Sequence, residues 1–256
     1  MAACRHASHG HQAELTMLEA LIFDVDGTLA DTEMVHLAAF NQAFSSLGLP
    51  WHWDVPTYIQ LLEVSGGKER MRAYWNERAE QVPQIDSSRI EELIERLHAI
   101  KTTAYEHAVS QGRVQLRAGV LDLLQRARAA GMRLAIATTT SPANVDSLLK
   151  HCLGSDWNDY FSVIEDASTA VQKKPDPMVY QHAVQRLQLP AQNCLAFEDS
   201  GNGLRAARSA GVAAVVTPTA LTAHHDFRSA LRILPDLQDI GLKQLRDWHA
   251  LAGNTD

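Results

Sequence analysis

The sequence predicts an α/β fold with a doubly wound, mostly parallel sheet and an all-helical insert after the first strand. Three observations lead to this fold class. A short apolar run over residues 18–22 is typical of a buried strand. Residues from about 50 to 110 contain helical segments and no convincing buried strand. From residue 121 to residue 216, strand-like and helix-like segments alternate, which indicates a parallel sheet with helices on both faces.

The first half of the chain supplies one strand and the insert. Apolar residues recur at helical spacing over residues 35–47, and the Gly-Leu-Pro sequence at 48–50 ends that helix. Further helices are predicted over residues 59–64, 70–81 and 88–109. A helical insert at this point would cover the carboxyl ends of the strands, where ligands bind in open α/β sheets. We therefore predict a cap domain over residues 34–111 and a core domain formed by residues 18–33 and 112–256.

The second half of the chain supplies the rest of the core domain. Strands are predicted over residues 132–137, 160–164, 194–197 and 212–216, and helices over residues 121–130, 142–152, 177–187 and 203–210. With the first strand, these elements form a Rossmann-like sheet. Residues 234–256 are weakly patterned, and no role is predicted for them.

Composition places the chain among ordinary globular proteins. Its 256 residues suffice for one medium domain or for a domain with an insert, and 46% of them are hydrophobic. The net charge of −7 argues against general nucleic-acid binding, which needs a basic surface. Three widely spaced cysteines, Cys4, Cys152 and Cys194, favour reduced thiols in the cytoplasm. No apolar run approaches the roughly 20 residues that span a bilayer, so we expect a cytoplasmic monomer without nucleic-acid or membrane partners.

The first 17 residues differ from the rest of the chain. They contain Cys4, Arg5 and three histidines but no apolar segment of the kind found in secretory signals. We predict a disordered extension over residues 1–17, with Met17 as an alternative start. Short histidine-rich tracts can bind metal, so a metal site is the other interpretation of His6, His9 and His11.

Two carboxylates, Asp24 and Asp26, follow the first predicted strand, and Gly27 lets the backbone turn directly after them. Residues i and i+2 of a strand share a face, so both carboxylates can aim at one point. Such crowded carboxylates repel each other unless a cation or a proton compensates. The pair suits phosphoryl transfer in which one Asp attacks, the other moves a proton and Mg²⁺ holds the charge. An Asp-Gly turn that closes a hairpin is the structural alternative.

Three more groups of polar residues follow predicted strands or lie in the adjoining loops. Thr138 comes directly after the strand at 132–137 and can donate to a phosphoryl oxygen, while Ser141 is suited to cap the next helix. Two prolines fix the backbone after Lys174, a cation that can offset charge on a nucleophile. Glu198 and Asp199 follow another strand and suit Mg²⁺. Taken singly, these patterns are also explained by a helix cap, a solvated basic turn and an acidic loop.

The order of these motifs, Asp-x-Asp-Gly-Thr, Thr, Lys-Pro and Glu-Asp, resembles the haloacid dehalogenase-like hydrolase superfamily over about residues 18–218. The resemblance implies that Asp24 is a nucleophile that forms an aspartyl-phosphate. It implies that Asp26 protonates the leaving oxygen and then helps to activate water, and that Thr138 and Lys174 hold the phosphoryl group. The implied ligands of Mg²⁺ are Asp24, the backbone carbonyl of Asp26, Glu198 and Asp199. Because the dehalogenase branch lacks an acid at this position and does not use Mg²⁺, Asp26 disfavours that branch.

The helical insert resembles the small cap of the β-phosphoglucomutase-like branch of this superfamily. Within it, Gly66 and Gly67 expose backbone N–H groups and Lys68 follows at once, which together form a candidate nest for a second phosphate. A glycine-broken loop between helices, with a solvated lysine, explains the same stretch.

Residues 28–33, 51–54, 66–70 and 137–141 resemble a narrower group, the phosphatases of Calvin-cycle operons that hydrolyse xylulose-1,5-bisphosphate, a misfire product that inhibits Rubisco. In that group the Gly-Gly-Lys loop and a neighbouring Arg hold the distal phosphate. The resemblance implies this role for Gly66, Gly67, Lys68 and Arg117, a sugar-hydroxyl contact for Glu33, and supporting substrate contacts for Thr139 and Lys173. At position 118 the chain has Ala where the group usually has Pro, which loosens the turn after Arg117 but leaves its charge.

Three other functions stay open. His36 and Lys101 match in position a His and a Lys of β-phosphoglucomutase, so a sugar phosphomutase is the nearest rival. A 2-phosphoglycolate or broad sugar-phosphate phosphatase would share the catalytic residues without needing Lys68. A non-catalytic phosphate-binding module would not need the complete set of nucleophile, acid, cation and metal ligands. The Gly-Gly-Lys-Glu-Arg loop favours the phosphatase over the mutase.

Overall fold

The computed structural model describes residues 17–78 and 87–252. Within these ranges, six strands form one sheet in the order β3-β2-β1-β4-β5-β6, and every neighbouring pair is parallel. The strands are β1 (Ala20–Phe23), β2 (Arg133–Ala137), β3 (Val163–Glu165), β4 (Cys194–Glu198), β5 (Ala213–Val216) and β6 (Arg232–Ile233). The predicted fold class, a doubly wound parallel α/β sheet with a helical insert after the first strand, is confirmed.

Nine helices are found in the described parts of the chain. Four of them, α1 (Glu33–Ser46), α2 (Val55–Leu61), α3 (Gly67–Arg78) and α4 (Ile90–Ser110), lie between β1 and β2. The others are α5 (Val120–Ala129), α6 (Pro142–Leu153), α7 (Met178–Leu187), α8 (Gly201–Ser209) and α9 (Leu242–Ala252). No helix within residues 17–78 and 87–252 is long and apolar enough to cross a membrane.

Local sequence explains where several of these helices begin. The side chain of Asp54 accepts a hydrogen bond from the Thr57 N–H and so caps α2. Ser141 caps α6 in the same way, as predicted, and Pro142 occupies its first turn. Ser200 caps α8, which fixes the first turn of that helix directly after Glu198 and Asp199.

Two elements differ from the prediction, and one region was missed. The strand predicted at 160–164 begins later, because Trp157–Tyr160 forms a short 3₁₀ helix that ends before β3. Residues 234–256, for which no role was predicted, contain α9, and the short strand β6 lies just before them. In the cap, the helix predicted at 59–64 is α2, which begins and ends earlier.

Buried side chains form three clusters. β1 contributes to the two core clusters alternately, Leu21 and Phe23 to one and Ala20 and Ile22 to the other, as expected for a strand that is covered on both faces. The third cluster is formed by side chains of α1–α4 and the loops between them. We infer from this separate aromatic core that the insert is a cap domain; its proposed limits of 34 and 111 stay a prediction.

Two predictions fall outside the described residues. The extension over residues 1–17 lies outside them except for Met17, and with it the interpretation of His6, His9 and His11 as metal ligands. The helix predicted over residues 70–81 is described as far as Arg78, where α3 ends.

Candidate active site

A cleft of about 430 Å³ lies between the carboxyl edge of the sheet and the cap. Three adjacent inner strands of the sheet are β2, β1 and β4, and the residues that follow them meet at this edge. Asp24 comes directly after β1, Thr138 after β2 and Asp199 after β4. The cleft is lined by most of the predicted site residues: Asp24, Asp26, Glu33, His36, Gly66, Gly67, Lys68, Lys101, Thr138, Thr139, Lys173, Lys174 and Asp199.

Lys174 is the central cation of the site. Its Nζ donates to Asp24 Oδ1 at 2.7 Å, to Glu198 Oε1 at 2.6 Å and to the Ala137 carbonyl at 2.8 Å. Burial disfavours the charged ammonium, but Asp24 and Glu198 outweigh burial and raise the pKa of Lys174. Burial also raises the pKa of Asp24 to about 7, although Lys174 opposes that rise. The lysine therefore stays charged and stabilises the carboxylate form of Asp24.

Three carboxylates form a candidate metal centre. Oxygens of Asp24, Glu198 and Asp199 lie within 4.8 Å of one another, and all three residues are buried. Glu198 Oε2 is buried and has no hydrogen-bond partner among the described residues, so it is available to a ligand. Burial, and after it the charges of Asp24 and Glu198, raise the pKa of Asp199 well above its usual range. A cation that binds these oxygens would relieve this crowding.

Glycines make room for these carboxylates. A Cβ at Gly27 would collide with the carboxylate of Asp199, and a Cβ at Gly203 would collide with that of Glu198. Gly27 also has φ of +77°, a left-handed conformation that favours glycine. Hard carboxylate oxygens gathered in a tight buried cradle are the ligands that Mg²⁺ prefers. The residues present therefore fit Mg²⁺.

Asp26 lies at one end of a chain of polar contacts that reaches into the cap. It accepts a hydrogen bond from Thr32 Oγ1 at 2.6 Å, and His36 Nε2 lies 2.8 Å from the same oxygen. Lys101 Nζ lies 2.8 Å from His36 Nδ1. Since an ammonium can only donate, Nδ1 accepts and the ring proton is on Nε2, which donates to Asp26. Burial lowers the pKa of Lys101 to about 8.

This environment favours the ionised form of Asp26. Burial raises the pKa of its carboxyl, but the contacts with His36 and Thr32 outweigh burial and lower that pKa below its usual range. The pKa of His36 is lowered by burial and by Lys101, so a neutral imidazole faces the Asp26 carboxylate.

The cap contributes a second group of polar residues. Lys68 Nζ contacts both carboxylate oxygens of Glu95, at 2.7 and 2.6 Å. Glu33 is buried and accepts a hydrogen bond from the Tyr58 hydroxyl at 2.6 Å, and Arg70 donates to the same hydroxyl at 3.0 Å. The cleft thus has a carboxylate pair and metal cradle at its base and cationic groups at its cap side.

The remaining core residues line the wall between these two groups. Thr138 is buried, and its Oγ1 accepts a hydrogen bond from the Thr140 N–H at 3.3 Å, so its hydroxyl proton is available to a ligand. Lys173 Nζ donates to the carbonyls of Ala167 and Ala170 at 3.3 and 3.4 Å, which holds the ammonium at the cleft. Thr139 lines the same wall.

Arg117 does not lie in the cleft, which corrects the phosphate-binding role expected for it. Its guanidinium donates to the carbonyls of Gly27, Thr217, Pro218 and Pro235 and to the Thr217 hydroxyl. Through its two terminal nitrogens, Arg117 holds the loops behind Asp26 together, outside the cleft.

Several polar residues contribute to the site without having been predicted, and four of them bear on its chemistry. Arg70 and His98 line the cap side of the cleft, and Asn144 lines the core side. Tyr180 donates to Glu198 Oε1 at 2.5 Å. Two of them carried a signal in the sequence: Arg70 belongs to the Gly-Gly-Lys-Glu-Arg loop, and His98 precedes Lys101 by three residues on α4. Nothing in the sequence singles out Tyr180, because its place depends on how α7 packs on β4.

Comparison with known proteins identifies related sequences over most of the chain. A family model for haloacid dehalogenase-like hydrolases matches residues 18–211. The chain is 53% identical over 222 residues to Protein CbbY of the plasmid of Cupriavidus necator, with 87% of each protein covered. It is 47% identical over 220 residues to Protein CbbY of Rhodobacter capsulatus, covering 86% of this chain and 94% of that protein.

Solved structures share the fold of this chain. CbbY from Rhodobacter sphaeroides in complex with phosphate matches with a TM-score of 0.80 at 38% identity, covering 90% of this chain and 99% of that one. A variant of CbbY from the same organism in complex with xylulose-1,5-bisphosphate matches with a TM-score of 0.82 at 39% identity and the same coverage. β-Phosphoglucomutase from Clostridium difficile matches with a TM-score of 0.72 at 20% identity, covering 92% of this chain and 99% of that one, which shows likeness of fold alone.

Proposed function

The chain belongs to the haloacid dehalogenase-like hydrolases and is a phosphatase of that family, and from this premise we propose that it hydrolyses a sugar bisphosphate through an aspartyl-phosphate on Asp24. The observation that carries the proposal is the buried cluster of Asp24, Lys174, Glu198 and Asp199 beneath a cap lined by Lys68 and Arg70. One end of this cleft suits the reacting phosphate, and the other end suits a second phosphate.

In the first step, a carboxylate oxygen of Asp24 attacks the phosphorus. The bond between phosphorus and the sugar oxygen breaks, and Asp26 gives a proton to the departing alcohol. Because the contacts with His36 and Thr32 favour the carboxylate of Asp26, the acid form has to be reached when substrate charge enters the cleft. In the second step, Asp26 accepts a proton from water, whose oxygen attacks the phosphorus and frees Asp24.

The other residues of the site position charge. Lys174 and the Thr138 hydroxyl would hold oxygens of the transferring phosphoryl group, so that catalysis depends mostly on orientation and charge stabilisation. We assign Mg²⁺ to Asp24, Glu198, Asp199 and the backbone carbonyl of Asp26. When bound, Mg²⁺ would neutralise phosphoryl charge and orient the phosphate for attack.

The proposed substrate is xylulose-1,5-bisphosphate. This choice rests on the CbbY relative that was crystallised with this compound and on the cationic cap side of the cleft. We assign the binding of the distal phosphate to Gly66, Gly67, Lys68 and Arg70. In this assignment Arg70 is the arginine that binds the distal phosphate, a role that the sequence had suggested for Arg117. Glu33, held by Tyr58, would accept hydrogen bonds from sugar hydroxyls.

The first test is phosphate release with and without Mg²⁺ from xylulose-1,5-bisphosphate, its C3 epimer ribulose-1,5-bisphosphate, 2-phosphoglycolate and β-glucose-1-phosphate. We expect the xylulose bisphosphate to be preferred and the activity to disappear on chelation of Mg²⁺. Weak and indiscriminate hydrolysis would retain the chemistry but exclude the proposed substrate.

The covalent step has its own test. The Asp24→Asn variant keeps the size of the side chain but removes the nucleophile, so turnover should fall by a factor on the order of 10⁴ or more. Mass spectrometry of the tested sample checks that the amide has not reverted to Asp. Substantial turnover by intact Asp24→Asn would rule out an aspartyl-phosphate.

A sugar phosphomutase is the second candidate. The contacts that join Asp26, His36 and Lys101 favour it, because His36 and Lys101 match in position residues of β-phosphoglucomutase. A mutase returns the phosphoryl group to a sugar and protects the aspartyl-phosphate from water. Isomerisation of β-glucose-1-phosphate that depends on a bisphosphate primer and releases little free phosphate would support this candidate against the phosphatase.

A further inference from the structure

Asn202 joins the loop that carries Asp199 to the cap. Its Nδ2 donates to the Glu63 carbonyl at 2.8 Å and lies within hydrogen-bond distance of Ser65 Oγ at 3.2 Å. Its Oδ1 accepts from the guanidinium of Arg205, which fixes the amide so that the donor side faces the cap. Asn202 is 5% exposed, so these contacts are shielded from water.

His225 makes a second contact with the same cap segment. Its Nδ1 accepts the Gly201 N–H at 3.1 Å, and its Nε2 lies 3.2 Å from Glu63 Oε1. Its side chain is 4% exposed, and burial lowers the pKa of the ring. A neutral ring that accepts at Nδ1 carries its proton on Nε2. This atom lies near the Glu63 carboxylate but makes no hydrogen bond within the described residues.

The same geometry argues against a metal site here. Glu63, His224 and His225 are grouped closely enough to hold a metal ion. A metal takes the lone pair of a ring nitrogen and leaves the other nitrogen protonated. In His225, however, the backbone N–H of Gly201 occupies Nδ1, so the proton is on Nε2. The cluster is therefore better explained as a contact between the cap and the core.

We propose that Asn202 and His225 are positioning residues that hold residues 63–65, and with them the Gly66-Gly67-Lys68 loop, above the catalytic centre. This inference deepens the proposed function and rests on it, because it assigns the second phosphate to that loop. Gly66 has φ of +96° and no side chain, and it directly precedes α3, in which Gly67 and Lys68 are the first residues. The entry to this helix is therefore a flexible point that contacts from the core can hold. Gly201 and Asn202 are the first residues of α8, which begins shortly after Asp199. The start of this helix thus lies beside both the proposed metal ligand and the segment that leads to the phosphate-binding residues.

The kinetic consequence is a split between substrates. If Asn202 orients the cap loop, Asn202→Ala should raise KM for xylulose-1,5-bisphosphate roughly tenfold. It should leave kcat and KM for p-nitrophenyl phosphate, which has one phosphate, within about twofold. If Asn202 only supports the Asp199 turn, kcat should fall on both substrates alike. That result, or unchanged kinetics on both, would overturn the proposal.

Variants on the cap side test the same contacts without changing the core segment that carries Asp199. Glu63 is exposed, with 55% of its side chain accessible, so Glu63→Ala is expected to fold, and it removes the carboxylate contacts with His225 and with the neighbouring His224. We expect it to raise KM for the bisphosphate by a few fold. The matched controls are Glu77→Ala, an exposed cap glutamate, and Asn193→Ala, whose amide contacts Glu19 away from the cleft; both should behave like the wild type.

Hydrogen–deuterium exchange tests the contacts without any substrate. In Asn202→Ala, amides of residues 62–70 should exchange at least several-fold faster, while those of β2 should be unchanged. Unchanged exchange over residues 62–70 would overturn the proposal whatever the substrate is. If the wild type shows no preference for a bisphosphate, the proposed function fails, and faster exchange in the variant still supports the positioning role. If Asn202→Ala does not fold, Glu63→Ala supplies both readouts.

Discussion

At the scale of single residues, Lys68 offers the most direct test of substrate choice. Its ammonium is shared with the exposed carboxylate of Glu95, and surface ion pairs of this kind contribute little to stability. A phosphate can therefore replace Glu95 as the partner. Lys68→Ala should raise KM for xylulose-1,5-bisphosphate by roughly 10- to 100-fold, the usual value of a charge-assisted hydrogen bond. It should leave 2-phosphoglycolate, which has one phosphate, nearly unchanged.

Glu95→Ala is the matched control for that experiment. It frees Lys68 without removing the cation, so KM for the bisphosphate should stay the same or fall. Steady-state kinetics of both variants on both substrates test whether Lys68 binds the distal phosphate. Equal effects of Lys68→Ala on the two substrates would count against a distal-phosphate role.

His98 should make stability depend on pH. Burial, and after it the charges of Lys101 and Lys68, lower its pKa from 6.5 to about 4. Between these values the unfolded chain binds a proton that the folded protein does not bind, so stability falls as pH decreases from 6.5 towards 4. The loss from this group is at most about 3 kcal/mol, and less to the extent that the ring is solvated.

His98→Gln removes this proton uptake. Chemical denaturation at pH 7 and at pH 4.5 should show a smaller difference between the two pH values in His98→Gln than in the wild type. The exposed His52→Gln variant is the control and should keep the wild-type difference. An unchanged pH dependence in His98→Gln would mean that this pKa is not lowered in the folded protein.

At the scale of elements, the aromatic core of the cap depends on Trp53. Its ring contacts those of Phe40, Phe44, Tyr58 and Tyr74 at centroid distances between 4.7 and 6.1 Å. Replacing a fully buried Trp by Ala typically costs about 3–5 kcal/mol. In Trp53→Ala we expect a lower Tm and a higher KM for the bisphosphate, because Tyr58, which holds Glu33, loses its neighbour.

A core variant separates cap effects from general destabilisation. Trp248 on α9 is partly buried against the core, and Trp248→Ala should lower Tm without raising KM. Thermal denaturation and steady-state kinetics are measured on both variants. If both raise KM to the same extent at equal loss of Tm, the cap core has no specific link to substrate binding.

The sequence predicted the buried strands of the sheet better than the short or weakly patterned elements near the end of the described chain. Strand-helix alternation indicated β1 to β5, because buried parallel strands are short apolar runs bounded by polar loops. It missed α9, whose described residues bury fully only Leu245 and His249, and this leaves a weak apolar stripe. β6 has two residues, which is too short to show a period.

Site residues that directly follow a strand were predicted, whereas site residues whose position depends on packing between helices were missed. Asp24, Thr138 and Asp199 follow central strands, so the parallel sheet alone brings them to one edge. That Arg70 lines the cleft and Arg117 does not could not be predicted in this way. Which arginine faces the cleft depends on how the cap packs on the core, and that arrangement has no local sequence signal.

At the scale of the whole molecule, charges of both signs are concentrated in one cleft of an acidic protein. The chain has a net charge of −7. The cleft is lined by the basic residues Lys68, Arg70, Lys101, Lys173 and Lys174 and by the carboxylates of Asp24, Asp26, Glu33, Glu69 and Asp199. A cation bound to the carboxylates would offset their charge and leave the basic side chains to attract a small anion. This distribution agrees with a small phosphorylated substrate.

The same distribution makes folding stability responsive to a divalent cation. Asp24 follows β1, and Glu198 and Asp199 lie at the end of β4, so the three carboxylates repel one another at the carboxyl edge of the sheet. An ion that binds only the folded protein stabilises it by about 2.7 kcal/mol at 100 times its Kd. For a protein of this size, where 1 kcal/mol shifts Tm by about 2–4 °C, that corresponds to a rise in Tm of roughly 5–10 °C. We expect such a rise on adding Mg²⁺ to protein treated with a chelator.

Asp199→Asn tests the origin of that rise. Removing one buried carboxylate relieves repulsion, so the metal-free variant should melt at the same temperature as the metal-free wild type or higher. Its response to Mg²⁺ should be much smaller, because a ligand is lost. Asp159→Asn, at an exposed position far from the cleft, is the control and should respond like the wild type. Scanning calorimetry distinguishes these outcomes without any substrate. The proposed metal site would be wrong if Mg²⁺ did not change the Tm of the wild type. It would also be wrong if Mg²⁺ raised the Tm of Asp199→Asn as much as that of the wild type.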